Sequence, residues 1–457
     1  MNGVVQRRLR MLNQEQRESV ESILEGWDSP SGEFILPIVE GPPGTGKTTV
    51  GVLAAARYKE ENRRPQIAYL CHTHYAADRA LEAFIELGFS PEDVLRVVDR
   101  GRYLVYQNSP YSNYYIAYSD ASELTPEQQR RLRSTPILIA TLHGSARVFN
   151  FQKRPLIIID EFSQVPPTLF FSTLSRVRQS PYNPSGYALL GDPNQLPVIT
   201  TQQFLRPNIG IFIMSRRDYE PHQLNLQYRM HSDICQAVNA LREALHTYPL
   251  ETHQSVRNRT LTSLGYSWNR SACPEEFVDI LDPDNPLVII NTDRLSGGEE
   301  VSLGGSKYFP SEARLAARLA VAFSSTYFDR NSQQPLSPTI LSPYSAQVGL
   351  IRSLLPRDLR SNCITIYQAQ GREYPCVIIS FARKNPYGQI GFLGEGGFGD
   401  VGMRAQTYVA CSRAMAKLVV LFSFSTFRGH RDYDYLLERS ENALIIEAEP
   451  SWGDEYD

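Results

Sequence analysis

The sequence predicts an α/β protein of two domains, each built on a parallel β-sheet flanked by helices. Two observations support this fold class. The chain has 457 residues, which exceeds the roughly 250 to 300 residues at which a single hydrophobic core stops growing. Short β-rich runs also alternate with helical stretches along the chain, which is the pattern of a parallel sheet covered by helices. We therefore expect two domains of roughly 200 residues each.

The first domain is predicted to span residues 1–222. Its strands are expected at Phe34–Val39, Ile67–Cys71, Ile137–Ala140, Leu156–Ile159 and Ala188–Leu190, and its helices at Lys47–Tyr58 and Tyr75–Leu87. Residues 88–135 interrupt this alternation with a loop that contains Tyr and Asn, followed by the helical segment TPEQQRRLR. Loops of that length in a compact domain are usually functional, so we expect an insertion here.

The second domain is predicted to span residues 223–446. Its strands are expected at Leu287–Asn291, Thr339–Leu341, Val377–Phe381 and Leu418–Phe422, and its helices at Ser311–Ser324 and Ser345–Leu355. Residues 447–457 carry acidic side chains and no basic one. A segment of that composition is typical of a solvated terminus, so we expect an acidic tail.

The composition excludes several classes of protein. Hydrophobic residues make up 42% and charged residues 21%, as in an ordinary soluble globular protein. No apolar run approaches the roughly 18 residues of a membrane span, and the N-terminus lacks a signal peptide, so we expect no membrane contact and a location in the cytoplasm or nucleus. The net charge of -3 means that any anionic partner must meet a local basic track. The six cysteines form no CxxC pair, which indicates reduced, mostly buried thiols.

A phosphate-binding loop is the most specific motif of the chain. The segment GPPGTGKT follows a predicted strand and precedes a helical stretch, and it fits the pattern GxxxxGK[ST]. In such loops backbone N–H groups and a helix N-terminus hold phosphates, Lys47 reaches the β- and γ-phosphate oxygens and Thr48 coordinates Mg²⁺. A Gly/Pro turn is the alternative, which the strand–loop–helix context disfavours. The predicted nucleotide-binding residues here are Gly41, Pro42, Pro43, Gly44, Thr45, Gly46, Lys47, Thr48 and Thr49.

Two carboxylates complete the predicted nucleotide site. Asp160 and Glu161 directly follow the continuous apolar run Leu156–Ile159, which is typical of a central parallel strand. Ligands of open α/β sheets bind at the carboxyl ends of such strands. We expect Asp160 to hold Mg²⁺ through water and Glu161 to orient and deprotonate the attacking water. The sequence therefore predicts hydrolysis of ATP with Mg²⁺, whereas a lone acidic pair would be no more than a turn.

Three segments resemble motifs II, III and IIIa of superfamily 1 helicases. They are DEFSQ at 160–164, GDPNQLP at 191–197 and QYRMH at 227–231. The resemblance is to the DNA2/NAM7-like group, which contains the nonsense-mediated-decay RNA helicase, senataxin and the immunoglobulin-mu-binding-protein helicase. It covers the chain from Leu12 to about Phe424 and implies two RecA-like P-loop NTPase domains in tandem.

The resemblance also implies residues that recognise the nucleoside. The segment LNQEQ at 12–16 resembles the Q motif, whose Gln16 would make paired hydrogen bonds to the adenine edge. A polar face on an N-terminal helix is the alternative for Gln16. Tyr228 would stack on the base. In the segment TIYQAQGRE, which resembles motif V, Gly371 and Glu373 are assigned to the nucleotide, with Glu373 on the ribose.

Further catalytic roles follow from the same resemblance. Gln195 would sense the γ-phosphate from the first domain. Arg229 and Arg413, the latter in the motif VI segment VACSRA, would each reach the γ-phosphate across the cleft between the domains. Such arginine fingers stabilise the charge of the transition state.

Strand-end segments in both domains resemble motifs that contact the nucleic-acid backbone. They are the motif Ia segment around Cys71–His74, the segment Ala140–Gly144, the motif IV segment Ser342–Gln347 and motif V. The candidate nucleic-acid-binding residues are Thr73, His74, Thr141, His143, Pro343, Tyr344, Thr365 and Gln368. The insertion adds tyrosines that either stack on bases or form a packed subdomain: Tyr103, Tyr106, Tyr111, Tyr114, Tyr115 and Tyr118.

The chain departs from the family pattern at four positions. Tyr367 stands where motif V usually has an acidic residue, Gln406 and Tyr408 stand where motif VI usually has Arg and Asn, and Phe309 replaces the Asn of the NxxEA element. These positions lie where the family couples nucleotide state to its grip on the strand. We therefore expect ATPase activity stimulated by single strands, weak unwinding by the isolated chain and a protein partner that stimulates unwinding.

Two classes of function remain open. The first is an ATP-dependent helicase or translocase that moves 5′ to 3′ on single-stranded RNA, with DNA as the alternative substrate. The second is an ATP-regulated clamp or scaffold that binds nucleic acid and unwinds nothing. The presence of Lys47, Glu161 and both candidate arginine fingers favours the first. Motifs that contact the backbone carry little information about base or sugar, so RNA and DNA are not separated.

Overall fold

The structure is a computed structural model that describes residues 3–25, 36–117, 124–147, 155–178, 186–196, 198, 208–215, 220–394 and 401–454. The chain divides into two compact units. The first ends at Asn225 and the second begins at Leu226, except that Asn194–Leu196 belongs to the second unit. No helix within the described ranges is both long and apolar enough to cross a membrane.

Eight strands of the first unit form one parallel sheet in the order β4-β3-β5-β2-β6-β7-β1-β8. Its strands are β1 Ile38–Glu40, β2 Ile67–Cys71, β3 Val94–Val98, β4 Tyr115–Ala117, β5 Ile137–Thr141, β6 Leu156–Asp160, β7 Gly186–Gly191 and β8 His222–Gln223. The helices are α1 Gly3–Met11, α2 Gln14–Glu25, α3 Lys47–Glu61, α4 His74–Glu86, α5 Arg100–Tyr106, α6 Pro126–Ser134, α7 Pro167–Arg178 and α8 Ile209–Met214. The predicted α/β class with a parallel sheet is confirmed for this unit.

The strand order brings the predicted nucleotide motifs to one edge of this sheet. β7 lies between β6 and β1, so the carboxyl ends of these three strands are adjacent. Asp160 ends β6 and Glu161 follows it, Asp192 follows β7 and the phosphate loop follows β1. A hydrogen bond from the N–H of Gly41 to the carbonyl of Gly191, at 2.9 Å, joins the start of the phosphate loop to the end of β7.

Residues 88–135 contain two strands of the main sheet, β3 and β4, which the sequence analysis did not foresee. β3 carries a fully buried arginine, Arg96, whose Nε donates to Asp78 Oδ1 at 3.2 Å. A charge in the middle of a short strand weakens the apolar pattern, and burying it requires hydrogen-bond partners that the strand pattern does not show. The loop interpretation is therefore wrong for Val94–Val98 and Tyr115–Ala117.

The tyrosines of this segment pack within the first unit. The ring of Tyr106 stacks on Tyr115 with centroids 4.3 Å apart and planes 9° from parallel. The hydroxyl of Tyr114 donates to the carbonyl of Phe89 at 3.0 Å. These contacts favour the packed subdomain over base stacking for these three residues. Tyr118 lies outside the described residues.

The second unit contains a six-stranded parallel sheet in the order β17-β16-β18-β19-β12-β20. Its strands are β12 Leu287–Asn291, β16 Thr339–Ser342, β17 Cys363–Thr365, β18 Tyr374–Ser380, β19 Ala414–Phe422 and β20 Leu444–Glu447, and smaller pairs use β9 Leu226–Gln227, β10 Glu251–Thr252, β11 Tyr266–Trp268, β13 Val301–Leu303, β14 Ser306–Tyr308 and β15 Tyr327–Asp329. The helices are α9 Ser232–Ala244, α10 Val278–Leu281, α11 Pro310–Thr326, α12 Ser345–Leu354, α13 Val401–Cys411, α14 Phe424–Phe427 and α15 Arg431–Arg439.

Residues 447–454 of the predicted acidic tail pack on the second unit through strand β20 and Trp452, while Glu447, Glu449 and Asp454 are exposed. Glu447 ends strand β20, and its carboxylate accepts hydrogen bonds from Asn291 Nδ2 at 2.9 and 3.0 Å. Trp452 is 4% exposed, with its ring 5.2 Å from that of Phe277. Residues 455–457 lie outside the described residues.

A buried carboxyl group, that of Glu312 in α11, lies inside the second unit. Its Oε1 accepts from Ser380 Oγ and from the N–H of Ala382, each at 2.7 Å, and Oε2 accepts from Thr292 Oγ1 at 3.3 Å. Burial raises the pKa of Glu312 to about 7, although these hydrogen bonds and the charge of Lys384 lower it. The carboxyl group is therefore expected to titrate near neutral pH.

We predict that Glu312 makes the second unit less stable as the pH rises. The pKa of Glu312 is about 7 in the folded state, against 4.5 for the free group. The protonated carboxyl group therefore contributes about 3 kcal/mol to the free energy of unfolding below about pH 4.5, and this contribution is lost as the pH rises through 7. Glu312→Gln has no group to titrate and should lack this loss. Denaturant unfolding at several pH values, followed by tryptophan fluorescence, measures it. Parallel pH profiles for the parent and the variant would contradict the prediction, and Glu441→Gln on the surface is the control.

Candidate nucleotide and nucleic-acid sites

The phosphate loop has a geometry that depends on its glycines. Gly44 and Gly46 have φ of 83° and 88°, in the left-handed region that favours glycine. Lys47 Nζ donates to the carbonyl of Gly41, and a Cβ on Gly41 would lie 2.3 Å from Lys47 Cγ. Helix α3 begins at Lys47, so its N-terminal N–H groups are positioned at the loop, as anion binding requires.

Three groups converge on the carboxylate of Asp160. Thr48 Oγ1 donates to Oδ2 at 2.9 Å, the hydroxyl of Tyr69 donates to the same oxygen at 2.8 Å, and the N–H of Glu161 donates to Oδ1 at 2.9 Å. Burial raises the pKa of Asp160, as does the negative charge of Glu161, whereas the hydrogen bond from Tyr69 and the charge of Lys47 lower it. Mg²⁺ binds proteins through one or two carboxylates and retains waters and phosphate oxygens. The hydroxyl of Thr48 and the carboxylate of Asp160 fit that ion.

Tyr69 is a residue of this site that the sequence analysis missed. It lies in the middle of β2 and is fully buried, and the sequence pattern indicates no more than an apolar strand there. A Cβ on Gly51 would lie 2.8 Å from the Tyr69 hydroxyl, so this glycine in α3 leaves room for it. Buried tyrosine hydroxyls usually have a hydrogen-bond partner, which is the one signal that could have indicated this role.

Glu161 has an unusual backbone conformation. Its φ and ψ are 62° and 48°, which is left-handed for a residue other than glycine. Such positions cost on the order of 1 to 3 kcal/mol and cluster at active sites. The residue is half-buried, so its carboxylate is not enclosed in the core. These features are compatible with a residue that activates water.

Gln16 lies against the phosphate loop. It is 6% exposed, and its Nε2 donates to the carbonyl of Thr45 at 2.9 Å. Its Oε1 accepts from the N–H of Asn13 at 3.2 Å, and its own N–H donates to Asn13 Oδ1 at 2.8 Å. Gln16 is therefore not part of an exposed polar face of α2, and adenine recognition by its amide stays a prediction.

We predict that Gln16→Ala reduces the preference for ATP over GTP, CTP and UTP by about tenfold, the equivalent of one lost hydrogen bond. Maximal turnover with ATP should fall less, because Lys47 and Glu161 are unchanged. The values of kcat/KM for the four nucleotides measure the effect. Gln14→Ala, an exposed position on the same helix, should keep the parental selectivity. Unchanged selectivity in Gln16→Ala would remove the adenine assignment.

In the second unit two predicted nucleotide residues contact each other. Arg229 Nε donates to Glu373 Oε2 at 2.7 Å, and Arg229 Nη1 donates to the carbonyl of Ser412 at 3.1 Å. Gly371, with φ of 76°, forms the turn that precedes Glu373. The ring of Tyr228 lies 4.6 Å from that of His253. His253 carried no signal in the sequence analysis.

Arg413 is 2% exposed and holds together a turn of the second unit. Its Nε donates to the carbonyl of Val409 at 3.0 Å, Nη1 to the carbonyl of Arg372 at 3.2 Å and Nη2 to Ser412 Oγ at 3.0 Å. The structure thus gives Arg413 a packing role that the resemblance did not imply. Its contact with a γ-phosphate stays a prediction.

Gln195 is buried and belongs to the second unit, not to the first domain as expected. The neighbouring Leu196 is part of the apolar core of the second unit, which explains the difference. Its role as a sensor of the γ-phosphate stays a prediction.

The candidate nucleic-acid residues of the first unit lie at the ends of β2 and β5. Thr73 caps α4, with Oγ1 accepting from Ala76 N at 3.1 Å, and Thr141 Oγ1 accepts from Gly144 N at 3.3 Å. Burial lowers the pKa of His74, as does the charge of Arg96. His143 is exposed. A cavity of 490 Å³ at these strand ends is lined by His72, His143, Gln164, Thr168, Leu169 and Ser172.

In the second unit the candidate nucleic-acid residues differ in exposure. Tyr344 is 4% exposed, and its hydroxyl accepts from Arg383 Nη1 at 3.0 Å, so its side chain is part of the core. Pro343 is half-buried and Gln368 is exposed. Thr365 and Gln368 form a capping box, with Thr365 N donating to Gln368 Oε1 at 3.0 Å. Contacts of Pro343, Tyr344, Thr365 and Gln368 with a strand stay predictions.

Three of the four side chains that depart from the family pattern are buried. Phe309, Gln406 and Tyr408 are at most 1% exposed. The N–H of Phe309 donates to Gln347 Oε1 at 2.9 Å, and the hydroxyl of Tyr408 accepts from Arg242 Nη1 at 3.2 Å. These three positions therefore belong to the packing of the second unit.

The chain is similar to helicases over most of its length. Two family models, each described as an AAA domain, match residues 11–259 and 212–423. The mouse DNA replication ATP-dependent helicase/nuclease DNA2 is 27% identical over 447 residues, covering 92% of this chain and 38% of that protein. The DNA polymerase alpha-associated DNA helicase A of Saccharomyces cerevisiae is 25% identical and covers 84% of this chain and 62% of that protein.

A third relative is the Regulator of nonsense transcripts 1 homolog of Arabidopsis thaliana, 23% identical, with 90% of this chain and 32% of that protein covered. Among solved structures, the complex of Arterivirus nonstructural protein 10 (helicase) with DNA is 14% identical, with 92% of this chain and 65% of that chain covered and a TM-score of 0.43. The chain spans less than two thirds of the length of each of the three sequence relatives.

Proposed function

The chain belongs to the AAA domain family and to the DNA2/NAM7-like helicases of superfamily 1, and from this premise we propose that it is an ATP-driven motor that moves on single-stranded nucleic acid. The observation that carries the proposal is the cluster at the carboxyl edge of the first sheet. There Thr48 and Asp160 are hydrogen-bonded at 2.9 Å, beside the phosphate loop and Glu161.

In the proposed hydrolysis each residue of this cluster has one task. Lys47 binds the β- and γ-phosphate oxygens, and Thr48 and Asp160 hold Mg²⁺. When bound, Mg²⁺ supplies positive charge against the charge that develops on the phosphates. Glu161 orients the attacking water and accepts its proton. Gln195, Arg229 and Arg413 respond to the γ-phosphate.

The proposed substrate is a single strand held by its backbone, with movement from 5′ to 3′. The names of the mouse and yeast relatives refer to DNA helicases, and that of the Arabidopsis relative to nonsense transcripts. Backbone contacts do not separate RNA from DNA, so the proposal includes both. The proposed site of action is the cytoplasm or the nucleus.

Burial of three side chains supports weak unwinding by the isolated chain. Phe309, Gln406 and Tyr408 lie in the core of the second unit, where the family pattern has Asn, Arg and Asn. A motor with these changes can still translocate but couples hydrolysis less tightly to strand separation. We propose that a partner protein restores unwinding.

The test combines two assays with the same oligonucleotides. Displacement of streptavidin from biotin at the 3′ or the 5′ end reports translocation and its direction, and single-turnover unwinding of duplexes with 5′ or 3′ overhangs reports strand separation. Displacement from the 3′ end alone, with slow unwinding, is the expected result. Strand binding without displacement from either end would favour the clamp, and displacement from the 5′ end alone would reverse the direction.

A further inference from the structure

We infer that Phe162, held between Gly191 and Gly210, positions the carboxylate of Glu161 for attack by water. The inference depends on the proposed role of Glu161 in ATP hydrolysis. Phe162 directly follows Glu161 and is fully buried. None of these three positioning residues was singled out for this role by the sequence motifs.

The two glycines leave space that the Phe162 ring fills. A Cβ on Gly191, at the end of β7, would lie 2.6 Å from Phe162 Cδ1. A Cβ on Gly210, in α8, would lie 2.2 Å from Phe162 Cε2. Neither position tolerates alanine unless the ring shifts. Glycine is less favourable than alanine in a helix, so room for the ring is a physical reason for glycine at 210.

Hydrogen bonds connect the same elements around the ring. The N–H of Val165 donates to the carbonyl of Phe162, and the N–H of Ile209 donates to the carbonyl of Val165, both at 2.9 Å. Asn208 caps α8, with Oδ1 accepting from Ile211 N at 3.0 Å. The start of α8 is therefore fixed to the turn that contains the ring.

Glu161, which precedes Phe162, has a strained backbone conformation, so the position of its carboxylate depends on how Phe162 is packed. Glu161 has φ of 62° and ψ of 48°, and such a conformation persists only where the surroundings determine it. Gly191, which bounds the ring, also accepts the hydrogen bond from the N–H of Gly41 in the phosphate loop. A displaced Phe162 would move the carboxylate relative to the phosphates, and misplacement by about 1 Å can lower a rate by roughly 10²-fold.

The test is Gly210→Ala in the full chain. We expect kcat for ATP to fall by roughly 10²-fold, with the Kd for a fluorescent ATP analogue within about twofold of the parent. Gly349→Ala is the matched control, because among the described residues nothing lies within 4 Å of a Cβ built at this glycine of α12. It should keep the parental kcat.

A double variant distinguishes displacement of the Phe162 ring from a general loss of folding in Gly210→Ala. The double variant Phe162→Leu with Gly210→Ala removes ring atoms that meet the new methyl group, and its kcat should exceed that of Gly210→Ala by roughly tenfold. Parental kcat in Gly210→Ala, loss of analogue binding in that variant, or no rescue in the double variant would each overturn the inference. Glu161→Gln is measured in parallel. If it retains parental turnover, the proposed function of Glu161 fails; if it is inactive while Gly210→Ala is fully active, only the positioning inference fails.

Discussion

Glu161→Gln is expected to bind ATP as the parent does and to lower turnover by between about 10²- and 10⁴-fold, the range of general base catalysis. The amide keeps the size of the side chain but cannot accept the proton of the attacking water. Glu161 is half-buried beside Asp160, whose carboxylate is fixed by Thr48 and Tyr69, so the nucleotide contacts should survive the change. Equilibrium binding of ATP and steady-state hydrolysis measure the two effects separately.

Lys47→Ala provides the contrast. Loss of the ammonium group that we propose to bind the phosphates should weaken ATP binding and lower turnover together. Glu18→Gln, on the exposed face of α2, is the control for the carboxyl-to-amide change. Turnover at the parental rate in Glu161→Gln would show that another group activates the water.

Arg229→Ala is expected to lower kcat by roughly 10³- to 10⁵-fold if it acts as an arginine finger. Its guanidinium is held by Glu373 and by the carbonyl of Ser412, contacts that orient it on the second unit. Arg229→Lys should not restore the rate, because a lysine ammonium lacks the planar fork of the guanidinium. Steady-state kinetics with saturating ATP measure the loss.

Substitution of Arg229 tests the arginine-finger role with less effect on folding than substitution of Arg413. Removing the Arg413 side chain would delete its three hydrogen bonds, to the carbonyls of Val409 and Arg372 and to Ser412 Oγ. Their loss destabilises the fold, so lost activity would not identify a finger. Arg330→Ala, an exposed arginine of the second unit, is the control for loss of positive charge. A kcat within about twofold of the parent in Arg229→Ala would contradict the assignment.

The central strands of both sheets could be predicted because each is recognised from a short run of apolar residues in the sequence. β2 and β12 have the predicted bounds, Ile67–Cys71 and Leu287–Asn291. Both are continuous apolar runs with turn signals on each side, as expected for parallel strands that are covered on both faces. For such segments the pattern of residues is enough to place the strand.

Other elements depend on distant partners and were therefore missed. β3 accommodates Arg96 because Asp78 and His74 of α4 and the carbonyl of Val97 hold its guanidinium. The C-terminal segment is ordered by a pairing of β20 with β12 and by the burial of Trp452. In both segments the charged residues make the local sequence look like a loop or a solvated tail. The structure is instead determined by contacts with residues far away in the sequence.

In the nucleotide site, too, some residues belong to local sequence motifs and others are recognised only by their contacts in the folded unit. The phosphate loop and the acidic pair are contiguous motifs, and the structure brings Gln16, Thr48 and Asp160 to one edge of the first sheet. The residues that support them are scattered. Tyr69 and Gly210 have no motif, and the contacts that give them a role are formed only in the folded unit.

The most direct test of the proposed motor is ATP hydrolysis titrated with single-stranded RNA and DNA of one sequence. We predict that turnover rises saturably with at least one of the two strands. Because the predicted contacts are to phosphates, the strand concentration needed should increase steeply with salt and depend little on sequence. Turnover that is the same with and without every strand tested, in a preparation that binds ATP, would contradict the central claim.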